Sequence, residues 1–205
     1  MPLTELVQLA LKDSVSYTAY RAQIQQHIQQ VKSKPDAAAD PMLAYTELNE
    51  VRMRRLDKTL YAHDALSWPN STFRPIALCI TEGWCGDAAQ QIPVLALLEK
   101  HTQAFDLRLV ARDAHLGLMD QFLTQGNRAI PMVLWLHPVT FEVLSTYGPR
   151  PQTLQNWVQQ YKIEHGIVDE AAKIYLQQWY TQDKGIHIQQ ELAESLQKGL
   201  DTTKH

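Results

Sequence analysis

The stretch that decides the fold is Ile76–Ala88, with the sequence IALCITEGWCGDA. Its first five residues are almost continuously apolar, which is typical of a strand that is buried on both faces. Glycine and aspartate then mark a turn, and apolar residues recur at helical spacing from Ala88 to Lys100. Cys85 is therefore predicted at the first turn of a helix that follows a buried strand.

The pattern continues on the C-terminal side of this stretch. It predicts an alternating strand, a short helix, an apolar strand, a weaker strand and a helix, in the order Phe105–Val110, Gly117–Gln125, Ile130–Leu136, Glu142–Tyr147 and Leu154–Tyr161. This order predicts an α/β structure in which a parallel βαβ unit is followed by a hairpin.

Helical patterns flank this region on both sides. The N-terminal stripes are Tyr17, Tyr20, Ile24, Ile28 and Val31, and then Leu48, Val51, Leu56 and Leu60. The tail has helical patterns at 167–180 and 186–200, and its aromatic residues Tyr175, Trp179 and Tyr180 are expected in a core or an interface. We predict one compact domain, with a helical extension over 1–66, a core over 67–165 and a helical tail over 166–205.

Composition excludes several function classes. The 205 residues carry a formal net charge of −3 and are 45% hydrophobic, which allows a sizeable core and argues against a nucleic-acid partner. No apolar run approaches the roughly 18 residues of a membrane span, and Met1–Glu5 does not resemble a signal peptide. Two cysteines are too few for a disulfide scaffold or a cysteine-rich metal centre. We expect a cytoplasmic protein with no membrane partner, no resident cofactor and no metal.

Electrostatic effects of opposite sign meet at Cys85. The N–H groups and the dipole at a helix N-terminus favour the thiolate. Asp87 opposes it by up to roughly 3 kcal/mol at about 6 Å and an effective dielectric near 20, and Glu82 adds to this opposition. The effects roughly cancel, which predicts an ordinary thiol pKa. Trp84 is expected to shield the sulfur, and Gly86 to let another backbone approach.

These residues resemble the thioredoxin superfamily. Trp84-Cys85-Gly86 matches the start of its W-C-G-P-C redox motif, and Ile130-Pro131 matches its strand-opening proline, which follows a cis peptide bond. Pro131 lies 46 positions after Cys85, and Gly148 falls near a glycine beside the family's substrate groove. The string W-C-G-D-A between helical extensions is similar to a bacterial branch of thioredoxin-like proteins. The resemblance implies a central mixed sheet with flanking helices, in which the Ile130 backbone holds a partner chain by strand-like hydrogen bonds.

Three departures from the family pattern bear on function. The family's second cysteine is Ala88 here, its motif proline is Asp87, and its buried acidic residue six positions before the reactive cysteine is Cys79. No C-x-x-C disulfide can form, so an ordinary dithiol cycle is not expected. Cys79 is the candidate for an unusual second thiol, although a disulfide needs Cα atoms within about 7 Å. The alternative interpretation of Cys79 is a small buried apolar residue.

Two functions of different classes follow. The first is a monothiol redox protein, in which Cys85 forms a mixed disulfide with a protein or glutathione thiol and an external thiol such as glutathione releases it. The second is a redox-inactive binding module that holds a peptide or protein partner in the groove between Trp84 and Pro131. Two further alternatives are a cysteine–histidine pair with His115 or His137 and an iron–sulfur cluster shared between subunits.

A basic cluster on the second N-terminal helix has two interpretations. Its members are Arg52, Arg54, Arg55 and Lys58. One interpretation is a solvated helix face with ion pairs to the acids of the same helix, Glu47, Glu50 and Asp57. The other is that one arginine binds a carboxylate of a peptide or of glutathione, if the helix packs near Cys85.

Overall fold

The computed structural model describes residues 1–34, 40–63 and 66–202. Within these ranges the helices are α1 (Leu3–Asp13), α2 (Tyr17–Lys32), α3 (Leu43–Thr59), α4 (Gly86–Thr102), α5 (Leu116–Met119), α6 (Gln152–His165), α7 (Glu170–Asp183) and α8 (Ile186–Thr202). The strands are β1 (Ile76–Thr81), β2 (Asp106–Ala111), β3 (Met132–Leu136) and β4 (Val143–Tyr147). None of the described helices is long and apolar enough to cross a membrane.

The four strands form one mixed sheet in the order β2-β1-β3-β4. Strand β1 pairs parallel with β2 across the α4 crossover, and antiparallel with β3. Strands β3 and β4 form the antiparallel hairpin. The predicted α/β fold, a central mixed sheet with flanking helices and helical extensions, is confirmed.

The core lies around the two central strands. Every residue of β3, and every residue of β1 after Ile76, is buried, as the apolar runs in the sequence predicted. The fully buried Trp135 meets Phe105 edge to face, and its indole N–H donates to Ser195 of α8 over 2.8 Å. This bond gives the buried indole N–H the hydrogen-bond acceptor that a buried tryptophan needs.

The N-terminal helices differ from the sequence prediction in two ways. Helix α1 precedes the first predicted stripe, and its Val7 and Ala10 are buried. On α3 the predicted stripe is partly wrong, because Leu48 and Val51 are exposed. Polar residues take their place on the buried face of α3, namely Thr46, Asn49 and Glu50.

The buried polar face of α3 meets polar partners on its neighbours. Arg21 of α2 pairs with Glu50 over 3.1 Å and also with Asp57. Lys32 of α2 pairs with Glu47. The acidic side chains of α3 therefore pair with basic side chains of α2, and the predicted ion pairs within α3 do not form. Burial of a charge requires such a partner, whichever element supplies it.

Helix α8 packs against the edge strand β4. A Cβ atom on Gly199 would lie 2.7 Å from the Ser145 hydroxyl oxygen and 3.0 Å from the Leu144 Cβ atom, so even a methyl group there would push the helix away from the strand. Ser145 donates from its hydroxyl to the carbonyl of Ser195 over 2.6 Å. The C-terminal helices are thereby held against the sheet, which places α7 beside the N-terminal end of α4.

Candidate functional site

Cys85 is the N-cap residue of α4, which begins at Gly86, one residue after the cysteine. The Cys85 Sγ lies 3.3 Å from the carbonyl oxygen of Ile130, to which the thiol donates. Ile130 is joined to the buried Pro131 by a cis peptide bond immediately before β3. The β1–α4 turn and the start of β3, 45 residues apart in the sequence, thus meet at the sulfur atom.

The acidity of the Cys85 thiol differs from the sequence prediction. Only 8% of the residue is exposed, and this burial raises the pKa of the thiol to about 12. The Asp87 carboxylate adds to the rise, while the N–H groups of Ala88 and Asp87 and the Arg150 guanidinium lower the pKa. The prediction of an ordinary value balanced the helix terminus against Asp87 but omitted the loss of hydration, which disfavours the charged form and dominates here.

Asp87 is buried between two partners that the sequence analysis did not find. Arg150, in the loop after β4, forms an ion pair with one carboxylate oxygen. The Tyr180 hydroxyl of α7 donates to the other over 2.9 Å. Burial raises the pKa of Tyr180 well above its ordinary value, so the phenol stays protonated and remains a donor. The carboxylate that opposes the thiolate is therefore held in place and partly neutralised by Arg150.

Neighbouring residues of the motif have separate roles in the packing. Ala88 is fully buried, and the Trp84 ring carries the Arg112 guanidinium 4.8 Å from its centroid. Glu82 turns away from the sulfur and accepts from the Asp113 N–H over 2.9 Å. Trp84 therefore packs against Arg112, while Glu82 holds the loop that follows β2.

The close backbone approach expected at Gly86 occurs at Gly148 instead. Among the described residues, a Cβ atom on Gly86 would meet the side chains of Arg52 and Gln177, at 3.5 Å and 3.6 Å, and no backbone. A Cβ atom on Gly148 would lie 2.3 Å from the carbonyl oxygen of Pro131, and the Gly148 φ angle is +123°. Only glycine fits where the loop after β4 crosses the start of β3.

Cys85 opens onto a cleft of about 850 Å³ between α3 and α7. Trp84, Asp87 and Ile130 also line it. One wall is apolar and comes from the exposed face of α3, with Met42, Tyr45 and Leu48. The opposite wall is the face of α7 that runs from Glu170 to Gln182. Both helices lie outside the predicted core of 67–165, so the extensions form the walls of the site.

Arg52 is the member of the basic cluster that reaches this cleft. Its guanidinium donates to the Asn49 side-chain oxygen over 2.9 Å, and the Asn49 amide donates to the carbonyl of Gly83 over 3.0 Å. Asn49 thus joins Arg52 to the turn that carries Cys85. Burial lowers the pKa of Arg52, and the nearby Arg55 lowers it further. Arg54 and Arg55 are exposed and do not line the cleft.

Cys79 lies in the middle of the sheet, paired with Leu109 on one side and Val133 on the other. It is fully buried, and burial raises the pKa of its thiol far above the ordinary value. Both cysteines are free thiols. Cys79 therefore has the surroundings of a small apolar core residue.

The two candidate histidines contact residues other than Cys85. His115 lies 3.3 Å from the Asp13 carboxylate, and the His137 ring packs against Phe73 with centroids 4.6 Å apart. The partner of the Cys85 thiol is the Ile130 carbonyl, and neither histidine lines the cleft. Over residues 1–34, 40–63 and 66–202, no group of three His, Cys, Asp or Glu side chains is placed to hold a metal ion.

A family model described as thioredoxin matches residues 36–162, more than half of the chain. The chain belongs to the thioredoxin family. The match covers the whole sheet and also α3, so this thioredoxin-family region includes one wall of the cleft.

Two solved structures are similar to this thioredoxin-family chain. A protein of unknown function from Pseudomonas aeruginosa is 18% identical, with 87% of this chain and 92% of that chain covered and a TM-score of 0.46. An HIV epitope-scaffold is 19% identical, with 78% of this chain and 85% of that chain covered and a TM-score of 0.44. No curated protein matches the sequence.

The sequence analysis brought together Cys85, Ile130 and Pro131 but missed the partners of Asp87. Arg150 and Tyr180 stand 63 and 93 residues from Asp87 in the sequence. For Arg150 the sequence held a usable signal, because a charged residue between Pro149 and Pro151 lies two positions after Gly148, the glycine expected near the groove. Tyr180 carried no such signal, since its position on a helix in the tail does not indicate which element the tail meets.

Proposed function

We propose that the chain is a monothiol redox protein of the thioredoxin family, in which Cys85 exchanges with a disulfide bound in the cleft. The observation that carries the proposal is the placement of the Cys85 sulfur. It lies at the N-terminal end of α4, lines a cleft large enough for a substrate, and faces the backbone of Ile130 over 3.3 Å. Cleft volumes of roughly 300–1,000 Å³ are typical of ligand sites.

The exchange takes place in two balanced steps. The Cys85 thiolate attacks one sulfur of a substrate disulfide, so that a Cys85–substrate disulfide forms, the original disulfide breaks and the other sulfur leaves as a thiolate that takes up a proton. Because Ala88 supplies no second thiol, an external thiol attacks the mixed disulfide and returns Cys85 to the thiolate. The net reaction converts one disulfide and one external thiol into a new disulfide and a new thiol.

The reaction defines the partners. The substrate is a protein or peptide disulfide, or a thiol that carries glutathione, and glutathione is the external thiol and co-substrate. Such a cycle suits the cytoplasm, where the glutathione pool keeps thiols reduced. The residues proposed to shape the site around Cys85 are Trp84, Gly86, Asp87, Ala88, Ile130 and Pro131.

The low acidity of the Cys85 thiol favours a second candidate function. Burial raises the pKa of the Cys85 thiol well above neutral pH, so only a small fraction of the molecules carries the thiolate at pH 7. Such a thiol reacts slowly, which suits a thioredoxin-fold binding module that holds a peptide or protein in the same cleft without redox chemistry.

The test is the intact mass of the reduced, folded protein after incubation with oxidised glutathione. Three proteins are compared, namely the natural chain, Cys85→Ser and the matched control Cys79→Ala. We expect a single glutathione adduct on the natural chain and on Cys79→Ala, none on Cys85→Ser, and release of the adduct by reduced glutathione. Circular dichroism of each variant shows that it is folded.

Two results would reject the redox function. The first is the absence of an adduct on the folded natural chain under conditions that modify a small free thiol. The second is an adduct that persists in Cys85→Ser and disappears in Cys79→Ala. In either case the binding module becomes the better description.

A further inference from the structure

The cleft beside Cys85 concentrates positive charge on a chain whose formal net charge is −3. The cationic side chains of the lining are Arg52, Arg112, Arg128, Arg150 and Lys173. The carboxylates of the lining are Asp87 and Glu170. The lining therefore has three more positive than negative side chains, but Asp113 and Asp120 just outside it pair with Arg112 and Arg128. The positive charge that remains attracts anions to this cleft although the whole molecule is acidic.

The cations differ in how firmly they are paired. Arg150 is bound to Asp87, and both side chains are mostly buried. Arg112, Arg128 and Lys173 pair with acids on the surface, namely Asp113, Asp120 and Glu170. Exposed pairs of this kind contribute at most about 1 kcal/mol, so a ligand carboxylate can replace the acid at little cost. Among the described residues, Arg52 has no carboxylate within ion-pair distance.

Arg52 is positioned for a ligand before the ligand arrives. Its bond to Asn49, which is itself buried and bound to the Gly83 carbonyl, fixes the guanidinium beside Gly86. The side chain is half-buried, so a carboxylate that reaches it is partly removed from water, where a charge-assisted hydrogen bond is stronger. A guanidinium held in this way loses little rotamer freedom on binding.

The walls of the cleft indicate the size and the polarity of the ligand. The α7 residues that line it extend from Glu170 to Gln182, a length of about 18 Å at 1.5 Å per residue. An extended tripeptide spans only about 10 Å, whereas five or six extended residues span about 18 Å. Exposed apolar side chains of α3 and α7, including Leu48 and Ile174, face this length.

We propose that the cleft binds an acidic, partly apolar polypeptide segment, with Arg52 taking one of its carboxylates next to the Cys85 sulfur. The apolar side chains of the segment pack against Tyr45, Leu48 and Ile174, and further carboxylates meet Arg112 and Arg128 at the rim. This inference deepens the proposed function, because it states which disulfides or partners the site accepts. It holds equally for a redox protein and for a binding module.

The experiment uses the full chain with Cys85→Ser, so that binding is measured without disulfide exchange. Fluorescence anisotropy follows a fluorescein-labelled heptapeptide, Glu-Leu-Glu-Ser-Leu-Glu-Glu. Versions with glutamine or lysine in place of every glutamate serve as controls. We expect the acidic peptide to bind at least about tenfold more tightly than the lysine version, and its affinity to fall as salt is added.

Matched variants test the role of Arg52. In the same background, Arg52→Gln is compared with Arg54→Gln, which removes the same charge from the same helix outside the cleft. We expect about a tenfold loss of affinity for the acidic peptide in Arg52→Gln and less than a twofold loss in Arg54→Gln. Thermal unfolding of both variants shows that each is folded.

Equal affinity for the three peptides, or equal losses in the two arginine variants, would overturn the proposal. Reduced glutathione that binds as tightly as the acidic heptapeptide would show a tripeptide-sized site and would also overturn it. These results are independent of the mass test on Cys85. A glutathione adduct without peptide preference leaves the redox function intact, and peptide preference without an adduct leaves this inference intact.

Discussion

Replacing Asp87 by asparagine is expected to make Cys85 more reactive. The substitution removes the negative charge that raises the pKa of the thiol and leaves the guanidinium of Arg150, which lowers it. At about 6 Å and an effective dielectric near 20, one charge acts on the thiolate with about 3 kcal/mol, or about 2 pKa units. The pKa of Cys85 is therefore expected to fall from about 12 to roughly 10.

The change in rate follows from this shift. At pH 8 the thiolate population rises about 100-fold, but a less basic thiolate is also a weaker nucleophile by about 8-fold for a Brønsted coefficient near 0.45. We expect alkylation of Cys85 by iodoacetamide, followed by intact mass, to be about 10-fold faster in Asp87→Asn than in the natural chain. Tyr180 can donate to the new side chain, but Arg150 loses its carboxylate, so the variant is also expected to lose about 3–5 kcal/mol of folding stability.

Two further variants make this prediction specific. Asp120→Asn removes an equal charge that is paired with another arginine of the cleft, Arg128, and is expected to leave the alkylation rate unchanged. Arg150→Met removes the opposing charge and is expected to slow alkylation. If Asp87→Asn stays folded and reacts no faster than Asp120→Asn, the electrostatic account of the thiol is wrong.

Two other predictions concern stability. Gly148→Ala is expected to lower the free energy of unfolding by about 3–5 kcal/mol in urea denaturation, because the new Cβ meets the Pro131 carbonyl in a strained backbone conformation. Gly126→Ala, where φ is also positive but nothing lies within 4 Å, is the control and should cost about 1 kcal/mol; equal losses would show that backbone strain alone matters. The folded pKa of Cys85 lies above that of the unfolded chain, so the stability it contributes is present below about pH 9 and is lost as the pH rises toward 12. Between pH 8 and pH 10 the natural chain should lose about 1.4 kcal/mol more than Cys85→Ser, and equal losses would contradict the raised pKa.

The fold was predictable because its central strands are buried on both faces. Such strands form apolar runs, and the runs Ile76–Ile80 and Ile130–Leu136 contain most of β1 and all of β3. The face of α3 was harder to predict, because Asn49 and Glu50 are buried by virtue of partners on other elements. The spacing of apolar residues predicts which face of a helix is buried on average. It does not predict which polar residues on that helix will find a hydrogen-bond or ion-pair partner on another element.

The site could be predicted only as far as local sequence determines it. The motif itself located Cys85, and the resemblance to a family paired it with Ile130 and Pro131. The acidity of the thiol depends on how deeply the folded chain buries it, and no single stretch of sequence determines that burial. For the same reason the sequence could not distinguish Arg52 from the three other basic residues of its cluster. Only the packing of α3 shows that Arg52 lines the cleft.

The pairing of Asp87 with Arg150 and Tyr180 has an evolutionary consequence. A single mutation from aspartate to the proline of the W-C-G-P-C motif would leave a largely buried guanidinium without its carboxylate, at a cost of about 3–5 kcal/mol. It would also leave the Tyr180 hydroxyl without this acceptor. Since natural proteins are stable by only about 5–15 kcal/mol, lineages with Asp87 are expected to change positions 87, 150 and 180 together or to retain all three.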